Sequence, residues 1–237
     1  EILDESGKLL STVPSSKRRG LSRAAWSMRL KAPRVPTAAG AAFGAATGPR
    51  VLPGTYTVKM TKDKNVYTTQ LQVMPDPRSK HTPADRRAQF DLSMKLYHLL
   101  GDMSFAVDRI NGVRLALDRA AAMLPANDPL VARLRAVSAQ VDELRRKIVA
   151  TKEGGAITGE ERLRENLADL YGNVISYEGR PAQTQVERTD AIARELADIV
   201  RDFDGWLAKE MPGLNSALSG KQLPPIKVVT REEWDKE

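Results

Sequence analysis

The chain has no cysteine among its 237 residues. That excludes disulfides and thiolate metal sites, and it leaves the compartment open, because secreted domains of this size can fold without disulfides. Histidine is nearly as scarce: His81 and His98 are the only two, and neither has a partner at metal-ligand spacing. Both are expected to be structural or exposed. Long hydrophobic runs are missing as well. The longest small-residue stretch, Ala38 to Ala46, is too short and too weakly apolar to span a bilayer, and no charged-then-apolar signal segment opens the chain. No Walker loop, nucleophile elbow, zinc-protease helix or Rossmann fingerprint occurs. No cofactor and no catalytic residue is therefore expected.

What is present is enough for ordinary cores, with 41% apolar residues. The net charge of +7 is unevenly placed. Residues 1–81 carry 14 Lys/Arg and 5 Asp/Glu, while residues 82–237 carry 23 and 25. The whole basic excess lies in the first third, where it could face phosphates, an anionic surface or an acidic neighbouring domain. Its densest cluster, Lys17-Arg18-Arg19, sits in a loop without interleaved aromatics or a nucleic-acid motif, so nucleic acid is not the favoured partner.

Hydrophobic period divides the chain in two. Before Pro75 the pattern alternates, and from Thr82 onward apolar residues recur every three or four positions. The first module, residues 1–78, reads as a small antiparallel β-sandwich, immunoglobulin-like or fibronectin-like in style and incomplete. Glu5-Ser6-Gly7 turns an opening hairpin, with Gly7 supplying a positive φ. Leu21 to Leu30 reads as the next strand, with Ala24, Trp26 and Met28 on one face and Trp26 as the aromatic centre of the core. Residues 31–50, rich in Ala, Gly and Pro without either period, read as a long mobile loop. The clearest hairpin follows: Tyr56, Val58 and Met60 alternate with polar residues, Lys62 to Asn65 turns, and Leu71 and Val73 return on one face. The opening Glu1-Ile2-Leu3-Asp4 reads as strand interior without an initiator methionine. A fragment or processed product of a longer polypeptide is expected, with any targeting signal upstream and an open sandwich edge in need of a partner.

The second module, residues 79–237, reads as an antiparallel four-helix bundle. Thr82-Pro83-Ala84-Asp85 starts a helix running to about Leu124, striped by Leu92, Leu96, Leu99, Met103, Val107, Ile110, Val113, Leu117, Ala121 and Leu124. Asp128 starts the second, striped by Leu130, Leu134, Val137, Val141, Leu144 and Ile148. Thr158-Gly159-Glu160-Glu161 is a capping box for the third, with Leu163, Leu167, Leu170 and Val174. The fourth follows Pro181, carries Ile192, Leu196, Ile199, Phe203 and Trp206, and is expected to stop at Met211-Pro212-Gly213. Such stripes bury most simply in an up-down-up-down arrangement.

Local chemistry has bland explanations. Asp202 and Asp204 flank Phe203 of the apolar stripe, and Arg145-Arg146-Lys147 read as solvated charges at a helix C-terminal half. Asp76-Pro77-Arg78 lies between the modules, where the prolines stiffen the connection and the charged pair could lock sandwich to bundle. Trp26, Tyr56, Asp76, Pro77 and Arg78 are thus the structural and junction residues to watch.

One family pattern runs through the first third. It is carried by Ile2, Asp4 and Gly7; by Gly20, Leu21, Arg23, Trp26 and Arg29; by Gly48, Pro49, Val51, Pro53, Gly54, Tyr56 and Val58; and by Asp76, Pro77 and Arg78. It resembles the C-terminal region of large bacterial BNR-repeat proteins, which are similar to sortilin (VPS10)-type β-propellers and often described as glycosyl hydrolase-like. Ser22 and Ser27 depart from that pattern, which has Asn and Asp there. The resemblance implies an upstream β-propeller in the same polypeptide and a periplasmic or extracellular location. With no site found and two well-patterned scaffolds, the expected role of this chain is that of a non-catalytic accessory module in interdomain or subunit contacts, with a homo-oligomer or another protein as further partners. The alternative the resemblance implies is a part of a glycan-active hydrolase whose catalytic site lies in the propeller.

Overall fold

The computed structural model describes residues 1–16, 18–152 and 159–236. It is an α+β protein: one four-stranded antiparallel sheet followed by four long helices and one short one. The strands are β1 (Ile2–Leu3), β2 (Leu9–Ser11), β3 (Gly54–Lys62) and β4 (Asn65–Val73), in the order β2-β1-β3-β4. Between β1 and β2 the Asp4 carboxylate accepts from Ser6 N, Ser6 Oγ and Lys8 N, and Gly7 takes φ +82°. That side chain satisfies the turn amides which the short ladder leaves over. Asp63, at φ +55°, turns β3 into β4 through a two-residue loop, and nine residue pairs from Gly54↔Val73 to Lys62↔Asn65 stay in register.

The strand expected over Leu21 to Leu30 does not form. Among the described residues only a single bridge, Arg29↔Arg50, joins this segment to other backbone. Met28 at φ +56° breaks the extended conformation, and Leu21 lies fully in solvent. The segment acts through side chains instead: Trp26 lies edge-on to Tyr56 at 5.4 Å and donates from Nε1 to Arg29 O. Ile2, Val51 and Tyr56 form the small core beneath it.

Helix α1 (Pro83–Ala122) begins at the predicted cap. Thr82 Oγ1 accepts from Asp85 N at 3.1 Å, and the Asp85 carboxylate accepts from Thr82 N at 3.0 Å. Helix α2 (Pro129–Ile148) begins as predicted too, with Asp128 accepting from Leu130 N. Helix α3 (Leu163–Ile175) starts later than expected. Thr158 lies outside the described residues, while Arg162 N donates to Glu165 and Glu160 holds Thr151 N and Lys152 N instead of capping a helix. Helix α4 (Gln183–Ser219) passes through Pro212 rather than stopping there. Met211, Leu214 and Leu218 continue the buried stripe beyond the proline, and at about 1.5–3 kcal/mol for each large apolar side chain their burial outweighs its cost of about 3 kcal/mol. Helix α5 (Arg231–Asp235), capped by Thr230 and Glu233, was not anticipated.

The four long helices share one core, including Leu96, Leu100, Met103, Leu117, Leu134, Leu167, Tyr171, Ile192 and Phe203. Leu100 rather than Leu99 takes the fully buried position on α1. Residues 31–50, expected to be a mobile loop, are woven into this core. Val35, Ala38, Ala42 and Ala45 pack against it, Ala39 N donates to Ala150 O, and the buried Arg164 donates to Gly40 O. A short 3-10 turn at Phe43–Ala45 crosses α3, and Tyr171 Oη donates to Thr47 O at 2.8 Å. Small residues let the backbone itself become the packing surface there, which leaves no side-chain period to read.

Candidate docking surface

The inner face of the sheet carries Tyr56, Val58 and Met60 on β3, opposite Leu71, Thr69 and Tyr67 on β4. Register puts these six on one side because successive residues of a strand point to opposite faces. The segment holding Trp26 covers the Tyr56 end only. Towards the β3–β4 turn the face lies open, with Met60 55% and Tyr67 52% exposed. Between cover and sheet lies a cavity of about 600 Å³ whose walls include Val13, Ala24, Trp26 and Met28 and whose floor includes Val58 and Met60. Ala24, Trp26 and Met28 therefore face one space, as their alternation suggested, although no strand presents them.

The outer face is different in kind. Thr55, Thr57, Lys59 and Thr61 of β3 lie beside Gln72, Gln70, Thr68 and Val66 of β4. A sheet that is polar on one side and apolar on the other normally packs its apolar side against a second layer. Among the described residues all four strands belong to a single sheet.

Below this face lies the junction. Asp76 and Arg78 pair with each other: Arg78 donates from N, Nε and Nη2 to the Asp76 carboxylate at 2.9, 3.0 and 2.8 Å. Hydrogen bonds from the Arg78 side chain, then from its backbone, hold the Asp76 carboxyl below its ordinary range. Pro77 sits inside this closed turn, which Ser79 N extends by donating to Asp76 O. Among the described residues the ion pair that joins the sheet region to the helical region is another one, from Arg50 Nη1 to Glu178 in the connection between α3 and α4, at 3.1 Å. Beside it the His81 ring occupies the space a side chain at 179 would need, since a Cβ on Gly179 would lie 2.8 Å from His81 Cε1. A cleft of about 330 Å³ opens here, lined among others by Arg50, Ser79, His81, Arg86 and Glu178.

Other titratable groups are tied into scaffold contacts. His98 packs edge-on to Tyr97 at 5.5 Å. Asp202 and Asp204 do not converge: Asp202 faces Lys147 of α2 at 3.8 Å and Asp204 faces Arg109 of α1 at 2.8 Å. Of Arg145-Arg146-Lys147, expected in solvent, Arg146 and Lys147 are exposed and Arg145 is withdrawn; Arg145 and Arg146 clamp the buried Asp142 at 2.7 Å each, with Arg114 at 3.1 Å. Burial of Asp142 opposes its ionisation, but hydrogen bonds from Arg145 and Arg146 and the charge of Arg114 prevail, so its pKa is lowered. Of the basic cluster, Lys17 lies outside the described residues, and Arg18 and Arg19 are exposed.

Sequence reasoning missed Met28, Met60 and Tyr67 as a surface because alternation marks an apolar face without telling whether anything covers it. The Arg50–Glu178 pair, 128 residues apart, had no local signal. Among the described residues no helix is long and apolar enough to cross a membrane. Comparison with family models, curated proteins and solved structures returned no match.

Proposed function

We propose that this chain is a non-catalytic accessory module whose open sheet face docks a protein layer, in the first instance a β-propeller of the same polypeptide. The sheet serves as half of a fibronectin-like sandwich, and the helices serve as an antiparallel four-helix bundle that carries it. The observation that supports this reading is the uncovered apolar patch of Met28, Met60, Tyr67 and Leu71, 39–55% exposed, around a cavity of about 600 Å³. Exposed contiguous apolar surface of this kind marks interaction sites on otherwise polar proteins. The resemblance of the first third to the end of BNR-repeat, sortilin-like proteins supplies the identity of the partner and the exported location.

The covering layer should be apolar at its centre. It should be acidic at its rim, because the sheet region carries the chain's whole basic excess. The test is to produce this chain and the propeller as separate polypeptides and measure their association. Wild type should bind, and Met60→Asp should weaken binding by about tenfold or more, since it buries a charge at the contact. The unfolding midpoint should be unchanged, because Met60 lies outside both cores. No association, or binding indifferent to Met60→Asp, rejects the reading. Glycan turnover by this chain alone, abolished by a single substitution, would reject it from the other side.

A further inference from the structure

A second surface borders the open face and is formed by backbone groups: the outer edge of β4. Among the described residues the sheet ends there, and the strand Asn65–Val73 contains no charge, no proline and no glycine. Its ladder with β3 runs through nine pairs without a register shift, so no bulge twists the edge away. Natural edge strands are usually blunted by one of these devices. The opposite edge, β2, is only three residues long.

The direction of the free groups follows from the ladder. Glu1 N donates to Lys59 O and Lys59 N donates to Glu1 O, both at 2.9 Å, so Lys59 turns its peptide groups towards β1. Lys59↔Thr68 is then a non-bonded pair of the β3–β4 ladder, because bonded and non-bonded pairs alternate. Val66, Thr68, Gln70 and Gln72 consequently point their N–H and C=O groups outward from the edge.

We propose that β4 pairs antiparallel with β4 of a second copy of this chain, around a two-fold axis at Thr69. In that register Thr68 faces Gln70 of the second copy and Val66 faces Gln72. All four outward-pointing residues then exchange both backbone groups, giving about eight hydrogen bonds. On the inner face Tyr67 meets Leu71, and Thr69 meets itself. These fall on non-bonded pairs, whose side chains approach most closely, and aromatic–aliphatic and Thr–Thr contacts are favourable there. The strand is thus complementary to itself. No like charges meet along it, because the strand carries none. The two sheets join into one, and the open faces become continuous, as an isologous contact requires.

The absence of cysteine gives a clean test on the intact chain. Sedimentation should show a concentration-dependent dimer. Thr69→Lys and Thr69→Glu each place like charges directly opposite on the axis and should raise the dissociation constant by about tenfold or more, while an equimolar mixture of the two should restore association. Thr69→Cys, under mild oxidation, should cross-link far faster than Thr68→Cys, which lies on the other face and off the axis. Circular dichroism and the unfolding midpoint confirm that each variant is folded. A wild-type chain that stays monomeric at every concentration, including one that pairs its edge only with a foreign strand, overturns the proposal. So does a dimer indifferent to Thr69→Lys, or equal cross-linking at 68 and 69.

Discussion

The backbone of Gly44 rests directly on that of Gly172: a Cβ on Gly172 would lie 2.7 Å from Gly44 Cα, and one on Gly44 would lie 2.2 Å from Ala168 O. Neither contact can be relieved by a rotamer, because backbone meets backbone. This crossing, with the Tyr171–Thr47 hydrogen bond next to it, fastens residues 31–50 to α3 and so sets how the sheet is joined to the helices. Gly172→Ala should therefore cost about 1–3 kcal/mol, the usual penalty for overpacking. Gly112→Ala on α1, where a Cβ meets nothing within 4 Å, should instead stabilise by up to about 1 kcal/mol through helix propensity. Denaturant unfolding of the two variants checks the contrast in sign.

Asp142 is the one buried carboxylate at which three guanidinium groups converge, among the described residues. Removing it strands Arg114 and Arg145, both largely withdrawn from water, so Asp142→Ala should cost about 2–4 kcal/mol, whereas Lys147→Ala on the exposed side should change stability by less than about 0.5 kcal/mol. Thermal unfolding distinguishes them.

How far the sequence was legible depends on where the signal lay. Thr82 and Asp128 start their helices as predicted because a cap is written within four residues. Thr230 and Glu233 carried the same signature for α5 and could have been read. Pro212 misled, because a local rule against proline met a stripe that continues through Met211, Leu214 and Leu218. Leu21 to Leu30 misled differently: alternation named the residues that share a space but could not supply a neighbouring strand. Residues 31–50 were illegible because Ala and Gly pack through backbone. The open face was half legible, since Tyr56, Val58 and Met60 were assigned to one side, while its exposure depends on what does not lie over it.

Glu160 gives the chain an acid-sensitive contact. Its carboxylate accepts from Thr151 N, Arg162 and Lys152 N, which lower its pKa from 4.5 to about 2. A depressed carboxyl contributes stability in full above its unfolded value and loses it as pH falls. The contribution should therefore be intact above pH 4.5 and disappear towards pH 2. Glu160→Gln should flatten that part of the acid limb in unfolding measured against pH.

Tyr171 does the same at alkaline pH. Burial, aided by Tyr97, raises its phenol above the ordinary value of 10.0. The unfolded chain then releases this proton first, so the contribution is full below pH 10 and declines as pH rises beyond it. Tyr171→Phe should flatten the alkaline limb and, by leaving Thr47 O without its donor, cost about 1 kcal/mol at neutral pH.

The proposal of an accessory docking module is tested most directly by hydroxyl-radical footprinting of Met28 and Met60, which line the cavity at the open face from the covering segment and from β3 and lie away from the β4 edge. Oxidation rates should be high in the isolated chain, where these side chains are 46% and 55% exposed, and strongly reduced in the propeller-bearing polypeptide. Equal oxidation of both methionines in the two proteins would contradict the account.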